Sequence, residues 1–142
     1  MASVLACAEC GKKNRLPTSG GGTPACAACR TPLPWIVDAR GDDLDATLDA
    51  SVPVVVDLWA PWCGPCRMVA PVLEQAARDR AGRLKVVKVN VDELPEVSAR
   101  YGVQGIPTLL LLDHGREIAR QVGALPAAAF GRWLDTHAAA PR

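Results

Sequence analysis

The six cysteines of this 142-residue chain fall into three Cys-x-x-Cys pairs, and the pairs stand in unlike surroundings. Cys63 and Cys66 lie in Trp62-Cys63-Gly64-Pro65-Cys66, just after the apolar, β-branched run Val54-Val55-Val56-Asp57-Leu58-Trp59. Cys7 with Cys10 and Cys26 with Cys29 lie in a glycine-rich stretch poor in strand signals, with 15 residues between the pairs. The first setting suits a redox dithiol. The second suits a four-thiolate metal site.

This division limits what residues 1–34 can become. Their larger apolar side chains are Val4, Leu5, Leu16 and Leu33, too few for a core of their own. Segments under ~40 residues generally need a metal or disulfides to fold. Gly20-Gly21-Gly22 and Pro24 suggest a flexible excursion between the pairs, and Thr31-Pro32-Leu33-Pro34 a stiff connector. The spacing Cys7-x2-Cys10-x15-Cys26-x2-Cys29 is that of structural zinc. Four thiolates close the tetrahedron and leave no position for a catalytic water. Cys10-Gly11 is similar to a zinc knuckle, whereas Arg30 stands where a second knuckle would carry glycine. Disulfide pairing of the four is the rival reading, disfavoured in a reducing compartment. Lys12, Lys13, Arg15 and Arg30 are read as offsetting the thiolate charge rather than as a nucleic-acid patch.

Beyond Trp35 the texture changes. The expected elements are a strand at 35–37, a helix at 42–50, a central strand at 54–59 and a helix at 63–80 interrupted by Pro71. Further elements are a strand at 84–91, a helix at 94–101 ended by Gly102, a strand at 108–112, a turn at 113–116, a strand at 117–122 and a helix from Pro126. That order describes a central mixed sheet flanked by helices, over residues 35–142, preceded by a small metal-binding domain at 1–34. His114 and His137 receive no role, and the tail 138–142 is expected to fray. Net charge is +1 and no apolar run approaches the ~18 residues of a membrane span. The start Met1-Ala2-Ser3-Val4-Leu5-Ala6 lacks a basic leader. The expectation is a cytoplasmic monomer without membrane or nucleic-acid partners.

A cysteine at the start of a helix has its thiolate stabilised by unpaired amides and the helix dipole. Cys63 is therefore the expected nucleophile and Cys66, one turn on, the deeper resolving thiol. Pro65 removes an N–H that a first helical turn leaves unpaired. The stretch Asp57-Leu58-Trp59-Ala60-Pro61-Trp62-Cys63-Gly64-Pro65-Cys66, with Pro71, Lys88, Ile106-Pro107-Thr108 and Gly123-Ala124, resembles the thioredoxin family. The cysteine-rich leading segment is similar to that of the zinc-binding thioredoxin 2 group of bacteria.

The resemblance implies roles. Asp57 takes a proton from Cys66, through water, with Lys88 tempering its pKa. Pro107 is cis and faces the disulfide. Ile106 offers backbone groups to an extended segment of a substrate protein. Trp62, Gly64, Pro65, Gly105, Gly123 and Ala124 form the surrounding surface. Leu58, where the family often has an aromatic, and the turn Asp113-His114-Gly115 depart from the usual pattern. The resemblance further implies reduction of disulfides in cytosolic proteins. Reducing equivalents would come from NADPH through a flavin-dependent thioredoxin reductase, with zinc as the one bound cofactor. An oxidant or isomerase is the close variant of that reading. A redox-regulated, zinc-dependent chaperone, sensor or binding module is the alternative from another class.

Overall fold

Val54–Trp59 is apolar almost throughout because the strand it forms has no solvent face. In the computed structural model of the protein, which describes residues 3–20 and 22–138, all its residues but Trp59 are buried. The expected fraying of the tail falls, for 139–142, outside the described residues, as do Met1 and Ala2 of the expected start.

In chain order the strands are β1 (Ser3–Ala6), β2 (Lys13–Leu16), β3 (Trp35–Asp38), β4 (Val54–Trp59), β5 (Lys85–Asn90), β6 (Thr108–Asp113) and β7 (Arg116–Val122). The helices are α1 (Leu44–Thr47), α2 (Gly64–Asp79), α3 (Pro95–Tyr101) and α4 (Ala127–Ala138). Five strands form a mixed sheet ordered β3-β5-β4-β6-β7. The β3–β5 and β5–β4 pairs are parallel, and β4–β6 and β6–β7 antiparallel. This is the thioredoxin architecture of a mixed sheet between helices. Among the described residues no helix is long and apolar enough to cross a membrane.

Side chains alternate across the sheet and make two cores. On one face Val55, Val86, Leu109 and Leu111 meet Val69, Leu73 and Ala77 of α2 and Phe130 and Leu134 of α4. On the other, Val54, Val56, Leu58, Val87, Leu110 and Leu112 pack with Leu44, Leu48 and Val97. Cys7, Leu16, Cys26 and Leu33 join this second core beside Trp35 and Val37. Burying a leucine stabilises by about 1.5–3 kcal/mol, so Leu16 and Leu33 tie the cysteine segment firmly to the sheet.

Three local expectations change. The cysteine segment is not strand-poor: β1 and β2 form an antiparallel ladder from Ser3–Leu16 to Ala6–Lys13. The connector at 31–34 is held rather than merely stiff, because Leu33 N–H donates to the Pro24 carbonyl at 3.0 Å and Pro32 bridges to Ala25. The helix expected at 42–50 is a 3-10 turn at Gly41–Asp43 followed by the single turn of α1. The Thr47 carbonyl, left without an intrahelical partner at this end, accepts from Lys85 Nζ at 2.6 Å.

Candidate functional site

The chain leaves the sheet at Trp59 and re-enters regular structure at Gly64, and Cys63 marks the joint. Its extended backbone (φ −90°, ψ 110°) makes it the N-cap of α2. A side-chain acceptor at that position satisfies one of the free amides of the first turn. Cys63 Sγ does so, accepting the Cys66 N–H at 3.2 Å. Cys63 and Cys66 form a disulfide with their Cα atoms 5.3 Å apart. Ala60, Trp59, Val91 and Ile106 pack around the two cysteines. The expected contrast between a reachable Cys63 and a deeper Cys66 is absent from this oxidised pair: 5% and 4% exposed. Both sulfurs shelter in the bond they share, while Gly64 and Pro65 are exposed.

Two loops complete the surroundings. The Ile106–Pro107 peptide is cis, and Ile106 contacts the cysteine cluster. Gly123 N–H donates to the Pro107 carbonyl at 2.8 Å, which joins the loop after β7 to the one before β6. Gly123 has φ 92°, a conformation that strains any other L-residue. Gly105 and Ala124 are exposed beside these joined loops. Trp62 is 69% exposed, with its indole N–H directed to the Asp92 carboxylate at 3.1 Å. Asp92, in turn, is positioned by its own N–H on Asn90 Oδ1 at 2.9 Å. Sequence reasoning missed this pair; the Asn-Val-Asp spacing, which favours an Asx turn, was the available signal.

Asp57 and Lys88 face each other in the β4–β5 register. Asp57 is 1% exposed and its Oδ1 has no hydrogen-bond partner among the described residues. Burial pushes its pKa up to about 7, against the pull of the Lys88 ammonium. Lys88 is half-buried, its Nζ 5.1 Å from the centre of the Trp59 ring.

The other four cysteines are brought together as thiols, not disulfides. Their sulfurs all lie within 4.8 Å of one another, with Cys7–Cys29 at 3.7 Å and Cys10–Cys26 at 3.5 Å. Metal–sulfur bonds of about 2.3 Å in a tetrahedron require sulfur–sulfur edges of about 3.8 Å. The donor set therefore fits a tetrahedral thiophilic ion. Each pair sits in the same turn: Gly11 N–H donates to the Cys7 carbonyl at 2.8 Å, and Arg30 N–H to that of Cys26 at 2.9 Å. Both turns end left-handed, at φ 79° and 66°. Arg30 thus adopts the conformation expected of the missing glycine, and the second knuckle forms. The Cys29 amide holds the Cys26 thiol down to about 6.

Asn14 was not singled out in the sequence. It is buried, with Nδ2 3.5 Å from Cys26 Sγ and Oδ1 accepting from the Ala27 N–H at 3.0 Å. A polar residue at an inward position of β2, two residues before Leu16 and on the same face, was the signal.

The thioredoxin family model matches residues 35–136. Thioredoxin 1 of Nostoc sp. is 51% identical over 90 residues, covering 63% of this chain and 84% of the relative. Thioredoxin of Haemophilus influenzae is 47% identical over 90 residues, with the same coverage. Thioredoxin M4, chloroplastic, of Arabidopsis thaliana is 37% identical over 135 residues, 93% of this chain and 70% of the relative. With a dithiol capping a helix beside a cis-proline loop, these matches show that the chain belongs to the thioredoxin family of thiol–disulfide oxidoreductases.

Proposed function

We propose that this protein reduces disulfides of cytosolic proteins, and that its own Cys63–Cys66 disulfide is reduced by a flavin-dependent thioredoxin reductase drawing on NADPH. The observation that carries the reading is the cap geometry: a sulfur at the start of α2 that already accepts the Cys66 N–H. In the reduced protein the same amide and the helix dipole favour the Cys63 thiolate. That thiolate attacks one sulfur of a substrate disulfide, forming a mixed disulfide and expelling the other sulfur as thiolate. Cys66 gives its proton to Asp57 and attacks Cys63 Sγ. The Cys63–Cys66 bond forms, the second substrate thiolate leaves, and two electrons have passed to the substrate.

Asp57, with a pKa near neutrality, suits proton exchange at physiological pH. Lys88 limits how far burial raises that pKa. Pro107, Ile106 and Gly105, with Gly123 and Ala124, form the ledge for an extended substrate segment, and Trp62, Gly64 and Pro65 its opposite border. Cys7, Cys10, Cys26 and Cys29 hold one zinc ion, which cross-links residues 1–34 as a structural domain and supplies no catalytic water. Lys12, Lys13, Arg15 and Arg30 are all exposed near the thiolates and soften their charge.

Insulin reduction coupled to NADPH oxidation by thioredoxin reductase, with metal content assayed on the same sample, tests this directly. Turnover dependent on Cys63 supports it; an equilibrium potential more oxidising than the glutathione pool refutes the reductase reading.

One observation favours a second role as a redox-regulated chaperone. Cys10 and Cys29 are exposed, whereas Cys7 and Cys26 belong to the core, so oxidation of the outer thiols would disturb buried surface. Peroxide titration with zinc release and holdase activity followed together decides it. Zinc retained after Cys63 and Cys66 are fully oxidised rules it out.

A further inference from the structure

Lys85 is 0% exposed on a central strand, although nothing in disulfide chemistry calls for a cation there. Moving an ammonium out of water is costly unless every proton finds a partner. Two of its partners are backbone carbonyls, of Thr47 at the end of α1 and of Thr18 in the loop between the two cysteine pairs, each at 2.6 Å. A third is the ring of Trp35, its register neighbour on β3, 4.5 Å from Nζ to the centroid.

The same loop is gripped twice more. Trp35 Nε1–H donates to the Pro17 carbonyl at 2.8 Å, and Thr18 Oγ1–H to Asp43 Oδ2 at 3.1 Å. Residues 17 and 18 directly follow Leu16, the buried end of β2, and β2 carries Asn14 beside Cys26. The loop's three tethers thus all end on residues of the matched thioredoxin region: Trp35, Asp43 and Lys85.

We propose that Lys85 is a latch: together with Trp35 it pins the loop at Pro17–Thr18 and so keeps the four-cysteine segment closed against the sheet. It is a positioning residue, remote in role from the dithiol. The chemistry suits the task. The acceptors taken here are carbonyl oxygens, and an ammonium can serve two of them and an aromatic face at once. An apolar side chain would fill the space but leave the buried Thr47 carbonyl and the part-buried Thr18 carbonyl without the ammonium. The link to metal retention rests on the zinc reading above; the pinning of the loop does not.

The experiment compares the full-length protein with Lys85→Met, which keeps most of the length and loses the donors, and with Trp35→Phe, which loses the indole N–H donor together with some ring volume. Three quantities are read: amide hydrogen exchange across residues 14–20, the rate of metal loss to a chelator, and the midpoint of global unfolding. Exchange at residues 16–20 and metal loss are expected to accelerate about tenfold or more, as befits loss of a charge-assisted hydrogen bond. Insulin reduction by the metal-loaded variants is expected to stay within about twofold of the parent, because neither side chain touches the dithiol.

A lysine that merely fills space would shift the unfolding midpoint and leave loop exchange unchanged relative to the rest of the chain. That result, in either variant, overturns the proposal. Should Lys85→Met not fold, Trp35→Phe decides alone. Should the parent bind no metal, the zinc reading fails and hydrogen exchange still decides the latch.

Discussion

The Cys-x-x-Cys at 63–66 and those at 7–10 and 26–29 begin alike and end differently. In the first, the amide of the second cysteine points at the sulfur of the first, Cys66 N–H to Cys63 Sγ. At the second knuckle the Cys29 backbone likewise favours the Cys26 thiolate, lowering its pKa. The divergence lies one residue later. Arg67 continues helix α2, which turns both sulfurs inward against Ile106 and toward each other. Gly11 and Arg30 turn left-handed, which ends each knuckle and lets its sulfurs face the other pair. One backbone rotation after the second cysteine thus separates a dithiol that makes and breaks its own bond from four thiols gathered closely enough to hold an ion. The spacing of the motif is common to both; its continuation decides the chemistry.

The largest effect expected from breaking this contrast is at the dithiol. Cys63→Ser should lower insulin reduction by at least about 10³-fold, since the nucleophile has no substitute. Cys66→Ser should accumulate a mixed disulfide with substrate, detectable on non-reducing gels. Cys26→Ser should leave reduction by the folded protein nearly intact while removing the metal, and equal loss of activity in both would show the two sites to be one.

Deleting residues 1–34 comes next. The dithiol and its loops lie outside that stretch, so reduction is expected to survive. The shared core now adds a stability cost: Trp35, Leu44 and Leu48 would be uncovered and Lys85 would lose the Thr18 carbonyl. A loss of about 3–5 kcal/mol is expected, measured by denaturant unfolding. An unchanged midpoint would show the segment to be an independent domain.

Asp57 supplies a pH-dependent test. Its folded pKa of about 7 exceeds the ordinary value of 3.8, so the fold disfavours the charged form. The cost is absent below the unfolded pKa of ~3.9, grows as pH rises toward about 7, and is constant above that. Asp57→Asn should therefore stabilise the protein by about 2–4 kcal/mol above neutrality and not at all near pH 3. It should also slow resolution of the mixed disulfide and flatten its rise between pH 6 and about 8. Destabilisation at neutral pH would contradict the burial argument.

The smallest expected effect sharpens the comparison at the second knuckle. Arg30 holds φ 66° without glycine's freedom. Arg30→Gly should stabilise the segment by about 1 kcal/mol and slow metal loss to a chelator, whereas Gly11→Arg should do the reverse by a similar amount.

Most of the sheet was legible in the chain because its strands announce themselves. Val54–Trp59 and Thr108–Leu112 are apolar but for Asp57 and Thr108, and both are buried on two faces. Pro95 and Gly102 bracket α3 as start and stop signals. The dithiol was legible for the same reason: strand, turn, Cys63 and Pro65 are neighbours along the chain. The failures share one cause. The helix expected over 42–50 ends at Thr47, whose carbonyl is taken up by a side chain 38 positions away. Asp92, Asn14 and Lys85 act through partners remote in sequence, 30, 12 and 67 positions away respectively. Propensity and periodicity describe a residue's neighbours within a turn or two and carry no information on such partners.

The chain by itself determined that residues 63–66 would carry a redox pair and that four other cysteines would gather, since both follow from local spacing and local backbone preference. Only the tertiary structure decided that Cys7, Cys26, Leu16 and Leu33 complete the core of the sheet, and that a buried ammonium at Lys85 clasps the loop between the cysteine pairs. Burial and hydrogen-bond satisfaction are settled by whatever the fold brings alongside, and these partners lie far apart in the chain.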